Sequence, residues 1–159
     1  GLPSYQSFLI THGVTKAANI KTLIETASIF GCQVVFVGAP KIYSKLPEHF
    51  LGRIHHNFAR LEDAVAYLKE QWQATIYGIE IMDEADNVEH LPFTSHSAFI
   101  MGSEGHGMSE KQKSMCDRFI YISQYGGGTA SLNVAVASSI IMQRFAVWAQ
   151  QQKKKEEAA

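Results

Sequence analysis

The sequence predicts an α/β domain, a mainly parallel sheet with helices on both faces. Three observations predict it. Short apolar, β-branched runs alternate with stretches of helical period, the pattern of a sheet built by crossovers. Glycine-rich loops follow two of the expected strands, at Gly102–Gly107 and Gly126–Gly128, and ligands in such sheets bind outside strand carboxyl ends. A length of 159 residues, 46% hydrophobic and 18% charged, suits one domain with a sizeable core and excludes disorder as its main state.

Ser7 to Thr11 reads as the first strand. A helix follows from about Asn19, a good N-cap residue, with Ile20, Leu23, Ile24, Ala27 and Phe30 as its apolar stripe and Gly31 as its stop. Gln33 to Val37 is a buried strand ended by Gly38 and Pro40. Residues 39–60 read as irregular and basic, with a short strand near Ile54 to Phe58. Leu61 to Gln71 is amphipathic, with Leu61, Val65 and Leu68 on one face. Thr75 to Ile81 is a strand, and an acidic loop through Asp83, Glu84, Asp86 and Glu89 follows. Ala98 to Met101 is a strand running into Gly102, Ser109 caps a short helix to Cys116, and Phe119 to Ile122 is a further strand. Ser131 to Gln150 is a long final helix. Residues 1–150 are thus expected to form a single domain and 151–159 a polar, charged, fraying tail. The final helix is apolar around most of its circumference, through Leu132, Val134, Val136, Ile140, Ile141, Phe145, Val147 and Trp148. That is more than its own sheet can cover and points to a homodimer partner.

Cys32 and Cys116 stand far apart in no CxxC, which excludes a disulfide scaffold and a cysteine zinc site and suits a reducing, intracellular setting, with the compartment left open. No apolar run approaches the roughly 20 residues of a membrane span, so no membrane partner is expected. No signal peptide is read, and the first residue, Gly1 rather than Met, leaves any preceding segment undefined. The net charge of −1 hides a segregation: +4 over residues 1–60, −9 over 61–110 and +4 over 111–159. Such segregation fits a polyanion-binding face, and equally a solvated surface with an acidic patch. A Walker loop, a GxGxxG after the first strand and HExxH are all absent from the sequence. His55 and His56 are expected to point different ways in an extended segment, so no metal is expected.

Three motifs remain, in order along the chain. The first runs from Asn19 to Phe30-Gly31 at the start of a helix; the second is GSEGHGMS from Gly102; the third is ISQYGGGTASLNVAVASSI from Ile122. Together they resemble the SpoU (TrmH-like) branch of the SPOUT RNA methyltransferases, over essentially the whole chain. The resemblance implies a C-terminal deep trefoil knot whose loops hold S-adenosylmethionine, a homodimer, and methylation of a ribose 2′-hydroxyl in tRNA or rRNA. It implies cofactor contacts from Gly78, Glu80, Gly102, Gly105, Ile122, Gly127 and Leu132, and catalytic positions at Asn19, Glu104, Ser131 and Asn133. RNA would approach over the basic first 60 residues, on Lys16, Lys21, Lys41, Lys45, Arg53 and Arg60. Each polar position also has an ordinary structural reading: a loop-satisfied carboxylate for Glu104, a helix N-cap for Ser131, a first-turn residue for Asn133.

The match departs from the family pattern in motif one. Family members carry an arginine six residues after the Asn, where this chain has Glu25, and a glycine usual near Lys21 is absent. The Pro-Met usual after the motif-three strand is Ser123-Gln124 here. Lys21 and Glu25 are i and i+4, so they can pair on the surface, or Lys21 can supply the lost cation from one turn earlier. These departures set two alternatives beside the enzyme: a catalytically impaired SPOUT-fold protein that binds RNA or assembles ribonucleoproteins, and a small-molecule-binding α/β domain.

Overall fold

The computed structural model describes residues 4–38, 40–102, 107–128 and 131–159, with the side chains of all but residues 40 and 43. Among the described residues the strands are β1 (Ser7–Thr11), β2 (Gln33–Val37), β3 (Ile54–Phe58), β4 (Thr75–Ile79), β5 (Asp86–Asn87), β6 (Ser97–Ile100) and β7 (Arg118–Tyr121). They form one sheet in the order β3-β2-β1-β6-β4-β7-β5, and every neighbouring pair is parallel. The helices are α1 (Ala17–Phe30), α2 (Pro40–Lys45), α3 (Glu48–Leu51), α4 (Leu61–Trp72), α5 (Glu110–Ser114) and α6 (Val134–Ala158).

Parallel pairing requires crossovers, and these cover both faces of the sheet, so its central strands are buried on both sides and mainly apolar. All five residues of β1 are buried. Leu9 faces the core built by α1 and α6, with Ile20, Leu23, Ile141 and Phe145. Its neighbours Phe8 and Ile10 face the other core, against Leu61, Ala64 and Leu68 of α4. The order in which strands are added reverses between β1 and β6: β2 and β3 lie on one side, β4, β7 and β5 on the other.

Several boundaries differ from the sequence reading. α1 begins at Ala17 with Lys16 as its N-cap and no side-chain cap bond, so Asn19 lies inside the first turn instead of capping it. Residues 39–60, expected to be irregular, contain α2 and α3. β4 ends at Ile79, leaving Glu80 and Ile81 in the loop beyond it. The acidic segment contains β5, which pairs with β7 and is tied to it by Arg118 and Asp86 at 2.7 Å. α6 starts at Val134, and its N-cap is Asn133, not Ser131. It continues to Ala158, eight residues past the expected end at Gln150.

His55 and His56 do not point apart. Val34 pairs with Ile54 and Val35 with His56, so His55 is the extra residue of a β-bulge. The bulge breaks the alternation of faces. The two rings lie 4.7 Å apart, and both meet Tyr67: His55 Nε2 is 3.3 Å from its hydroxyl and the His56 ring 4.5 Å from its ring. No described helix is long and apolar enough to cross a membrane.

Candidate functional site

The carboxyl ends of β4, β6 and β7 and the N-termini of α1 and α6 enclose a cavity of about 790 Å³. Its position, beside the reversal of strand order, is where open parallel sheets bind ligands. Its volume falls in the range of small-molecule sites, about 300–1,000 Å³. Ile79 at the end of β4 lines it with Glu80 and Ile81 just beyond, Met101, Gly102 and Gly107 line it from past β6, and Tyr121 at the end of β7 lines it with Ile122 and Gln124 just beyond. Lys16 and Asn19 line it from α1, and Ser131 to Val134 with Ala137 from α6.

Asn133 joins two motifs. Its Oδ1 accepts from the backbone N–H groups of Ala135 at 2.8 Å and Val136 at 3.3 Å, capping α6. Its Nδ2 donates to Asn19 Oδ1 at 3.2 Å, so one side chain starts the last helix and fixes it against the first. Neither helix carries an acidic residue in its first turn, so the positive ends of both dipoles converge on one corner of the cavity unopposed from within.

Glu80 forms the opposite pole. Its N–H donates to the Ile120 carbonyl at 3.0 Å, fixing the backbone across β4 and β7. Its Oε2 is buried with no hydrogen-bond partner among the described residues. A buried acceptor left unsatisfied costs about 1–3 kcal/mol, so the carboxylate is prepared for a donor from a ligand. Gly102 is held by its own loop: a Cβ there would stand 2.6 Å from the carbonyl carbon of Gly107 and 2.9 Å from Met108 N. Gly107 has φ +69°, which only glycine adopts without strain. Burial pushes the Cys32 and Cys116 thiols up to about 12, so neither is a nucleophile at neutral pH.

Of the residues singled out in the sequence, the cavity gathers Lys16, Asn19, Glu80, Gly102, Ile122, Ser131, Leu132 and Asn133. Glu104 and Gly105 lie outside the described residues. Gly78 is not on the cavity wall; a Cβ there would meet Cys116 Sγ and Phe119 Cε1 at 2.8 Å and Met108 Sδ at 2.9 Å, so this glycine serves the core. Gly127 is exposed and also off the wall. Lys21, Lys41, Lys45, Arg53 and Arg60 do not line the cavity, and Arg60 is paired with Glu62. A Lys21–Glu25 pair, one of the readings open for motif one, is not among the ion pairs of the described residues. Sequence reasoning missed Met101, Tyr121 and Gln124; their signal was their position at or just past the ends of two central strands.

The family model described as the SpoU rRNA Methylase family matches residues 6–143. The 23S rRNA (guanosine-2′-O-)-methyltransferase RlmB of Neisseria meningitidis is 26% identical over 143 residues, 84% of this chain and 55% of that protein. The tRNA (guanosine(18)-2′-O)-methyltransferase of Thermus thermophilus is 31% identical over 90 residues, 57% of this chain and 44% of that protein. The chain spans about half the length of the curated relatives it matches. The SpoU methyltransferase AviRb of Streptomyces viridochromogenes, solved with AdoMet, superposes with a TM-score of 0.73 at 19% identity, over 92% of this chain and 62% of that one. At that identity the likeness establishes the fold.

Proposed function

Because the chain belongs to the SpoU rRNA methylase family, we propose that it is an S-adenosylmethionine-dependent methyltransferase acting on a ribose 2′-hydroxyl of tRNA or rRNA. The observation that carries this reading is the convergence of residues from all three motifs on one cavity: Asn19, then Gly102 and Gly107, then Ile122, Ser131, Leu132 and Asn133. The cavity's chemistry fits the cofactor. The unpartnered Glu80 Oε2 is an acceptor for ribose hydroxyls and a counter-charge for a sulfonium. Met101, Gly102, Ile122 and Leu132 bring backbone and apolar surface to the same wall. S-Adenosylmethionine bound there supplies an electrophilic methyl group. Asn19 and Asn133, locked to each other, orient the acceptor side of the cavity, and Ser131 adds a hydroxyl beside them. The motif-two sequence adds Glu104 to this proposed set.

The same reading includes a C-terminal trefoil knot and a homodimer. The strand order supports the knot: β6 inserts between β1 and β4, and α6 returns to pack on α1. Ile29, 76% exposed on α1, and Val136, 48% exposed on α6, support the dimer, because a second copy would cover both. Titration with S-adenosylmethionine by calorimetry tests the function, and binding in about the micromolar range is expected. Transfer of labelled methyl groups from it to unmodified tRNA and rRNA transcripts follows. A folded protein that binds neither S-adenosylmethionine nor S-adenosylhomocysteine overturns the reading.

A further inference from the structure

Position 25 leaves motif one without its arginine, and the cavity shows where another cation stands. We infer that Lys16 anchors the phosphate of the acceptor nucleotide beside the cavity. The inference rests on the function proposed above and deepens it to a residue.

Lys16 is exposed, precedes the first residue of α1 and lies on the cavity wall with Asn19. Residues of an α-helix turn by about 100° each, which sets Lys21 about 200° and Glu25 about 240° around α1 from Asn19. Neither reaches the wall that Asn19 lines, and neither is among its lining residues. Among the described lining residues Lys16 is the only base and Glu80 the only acid. Lys16 makes no ion pair with a described residue.

The charges divide the cavity. On the β4 side the buried, unpartnered Glu80 Oε2 favours a cation or a hydrogen-bond donor. On the helical side Lys16 stands where two helix N-termini meet, joined by the Asn133–Asn19 hydrogen bond and without acidic residues in their first turns. That corner favours an anion. A sulfonium cofactor and a phosphodiester substrate present the two opposite charges. Lysine holds phosphate as a point charge without arginine's fork, so Lys16→Arg retains the function and Lys16→Gln removes it.

The test compares the wild-type chain, Lys16→Gln, Lys16→Arg and Lys155→Gln, a charge control at the far end of α6. Thermal melts confirm folding, and calorimetry gives S-adenosylmethionine affinity. Fluorescence anisotropy gives affinity for a labelled mixed-sequence 20-nucleotide RNA, with S-adenosylhomocysteine saturating, across a KCl series. Lys16→Gln is expected to keep cofactor affinity within about twofold, to weaken RNA binding by about fivefold or more, and to flatten the log–log salt slope by about 0.7. Lys16→Arg is expected to restore both RNA values. An RNA slope in Lys16→Gln equal to that of Lys155→Gln overturns the inference. So does a loss of cofactor affinity in step with RNA affinity, which would assign Lys16 to the cofactor. A wild-type chain that binds no S-adenosylmethionine yet shows the Lys16-dependent RNA slope overturns the cofactor reading alone and supports the anchor.

Discussion

Asn133 carries two duties on one amide, and they use different atoms. Oδ1 caps α6 by accepting from Ala135 and Val136, while Nδ2 donates to Asn19. Aspartate caps a helix as well as asparagine but has no donor. Asn133→Asp is therefore expected to hold stability within about 0.5 kcal/mol of wild type in urea unfolding. Methyl transfer should still fall by tenfold or more, about 1.4 kcal/mol of activation free energy. Asn133→Ala loses both duties and should cost about 1 kcal/mol of stability as well. An Asn133→Asp protein with full activity would reduce Asn133 to a cap. Sequence alone could not divide these duties, because an Asn five residues past a glycine loop fits a cap and a site equally well.

Two glycines at comparable places in the fold separate element packing from the site. Gly78 lies inside β4, and a methyl there collides with the side chains of Cys116, Phe119 and Met108. Gly102 lies just past β6, and a methyl there collides with the backbone of Gly107 and Met108. Gly78→Ala overpacks the core and should cost about 1–3 kcal/mol in chemical denaturation, with cofactor affinity kept in the protein that remains folded. Gly102→Ala displaces the motif-two loop and should abolish S-adenosylmethionine binding in calorimetry with a smaller loss of stability. The reverse pattern would place the cofactor on the Gly78 side. The two glycines look alike in sequence, because which face of a strand meets a ligand depends on what the chain wraps over it later. The strands themselves were legible: the apolar runs of β1, β2 and β6 fall within a residue of their expected places because both faces of each are buried. What escaped was set by partners distant in the chain. β5 is two residues long and exists only because β7 offers an edge. The bulge at His55 depends on its register against β2. The start of α6 is Val134 instead of the expected Ser131, with its N-cap Asn133 held against Asn19.

Across the whole molecule, the charge segregation of the sequence becomes a polarity of the sheet. Lys41, Lys45, Arg53 and Arg60 lie on the segments leading into and out of the edge strand β3. Asp83, Glu84, Asp86 and Glu89 surround the opposite edge strand β5, six strand spacings or about 29 Å away. His12, His55 and His96 all have pKa values held below the ordinary 6.5, in each case first by burial. For His12 the positive Lys111 adds to the lowering and Glu62 opposes it, and for His55 the neighbouring His56 adds to it. An unfolded chain protonates these rings near 6.5, whereas the folded chain does so only at lower pH, so in that window the unfolded state binds more protons. Their contribution to stability is therefore complete above 6.5 and is lost as pH falls below it. The geometry at His12 gives the same sign. Its Nδ1 accepts from the buried Gln112 Nε2 at 2.9 Å, while Gln112 Oε1 accepts from Ser109 N–H at 2.9 Å to close the capping box of α5. Gln112 cannot turn over to meet a protonated ring without opening that cap, so acid loosens the helix that follows the motif-two loop. Glu62, held down to about 2 by Arg60 and Lys111, keeps its charge throughout and contributes nothing to the slope between pH 7.5 and 5.5. The melting temperature is expected to fall from pH 7.5 to 5.5 in scanning calorimetry. His12→Asn, whose side-chain oxygen can accept from Gln112 without titrating, is expected to fall less. An equal or steeper fall in His12→Asn would remove His12 from the titration and leave His55 and His96 to account for it.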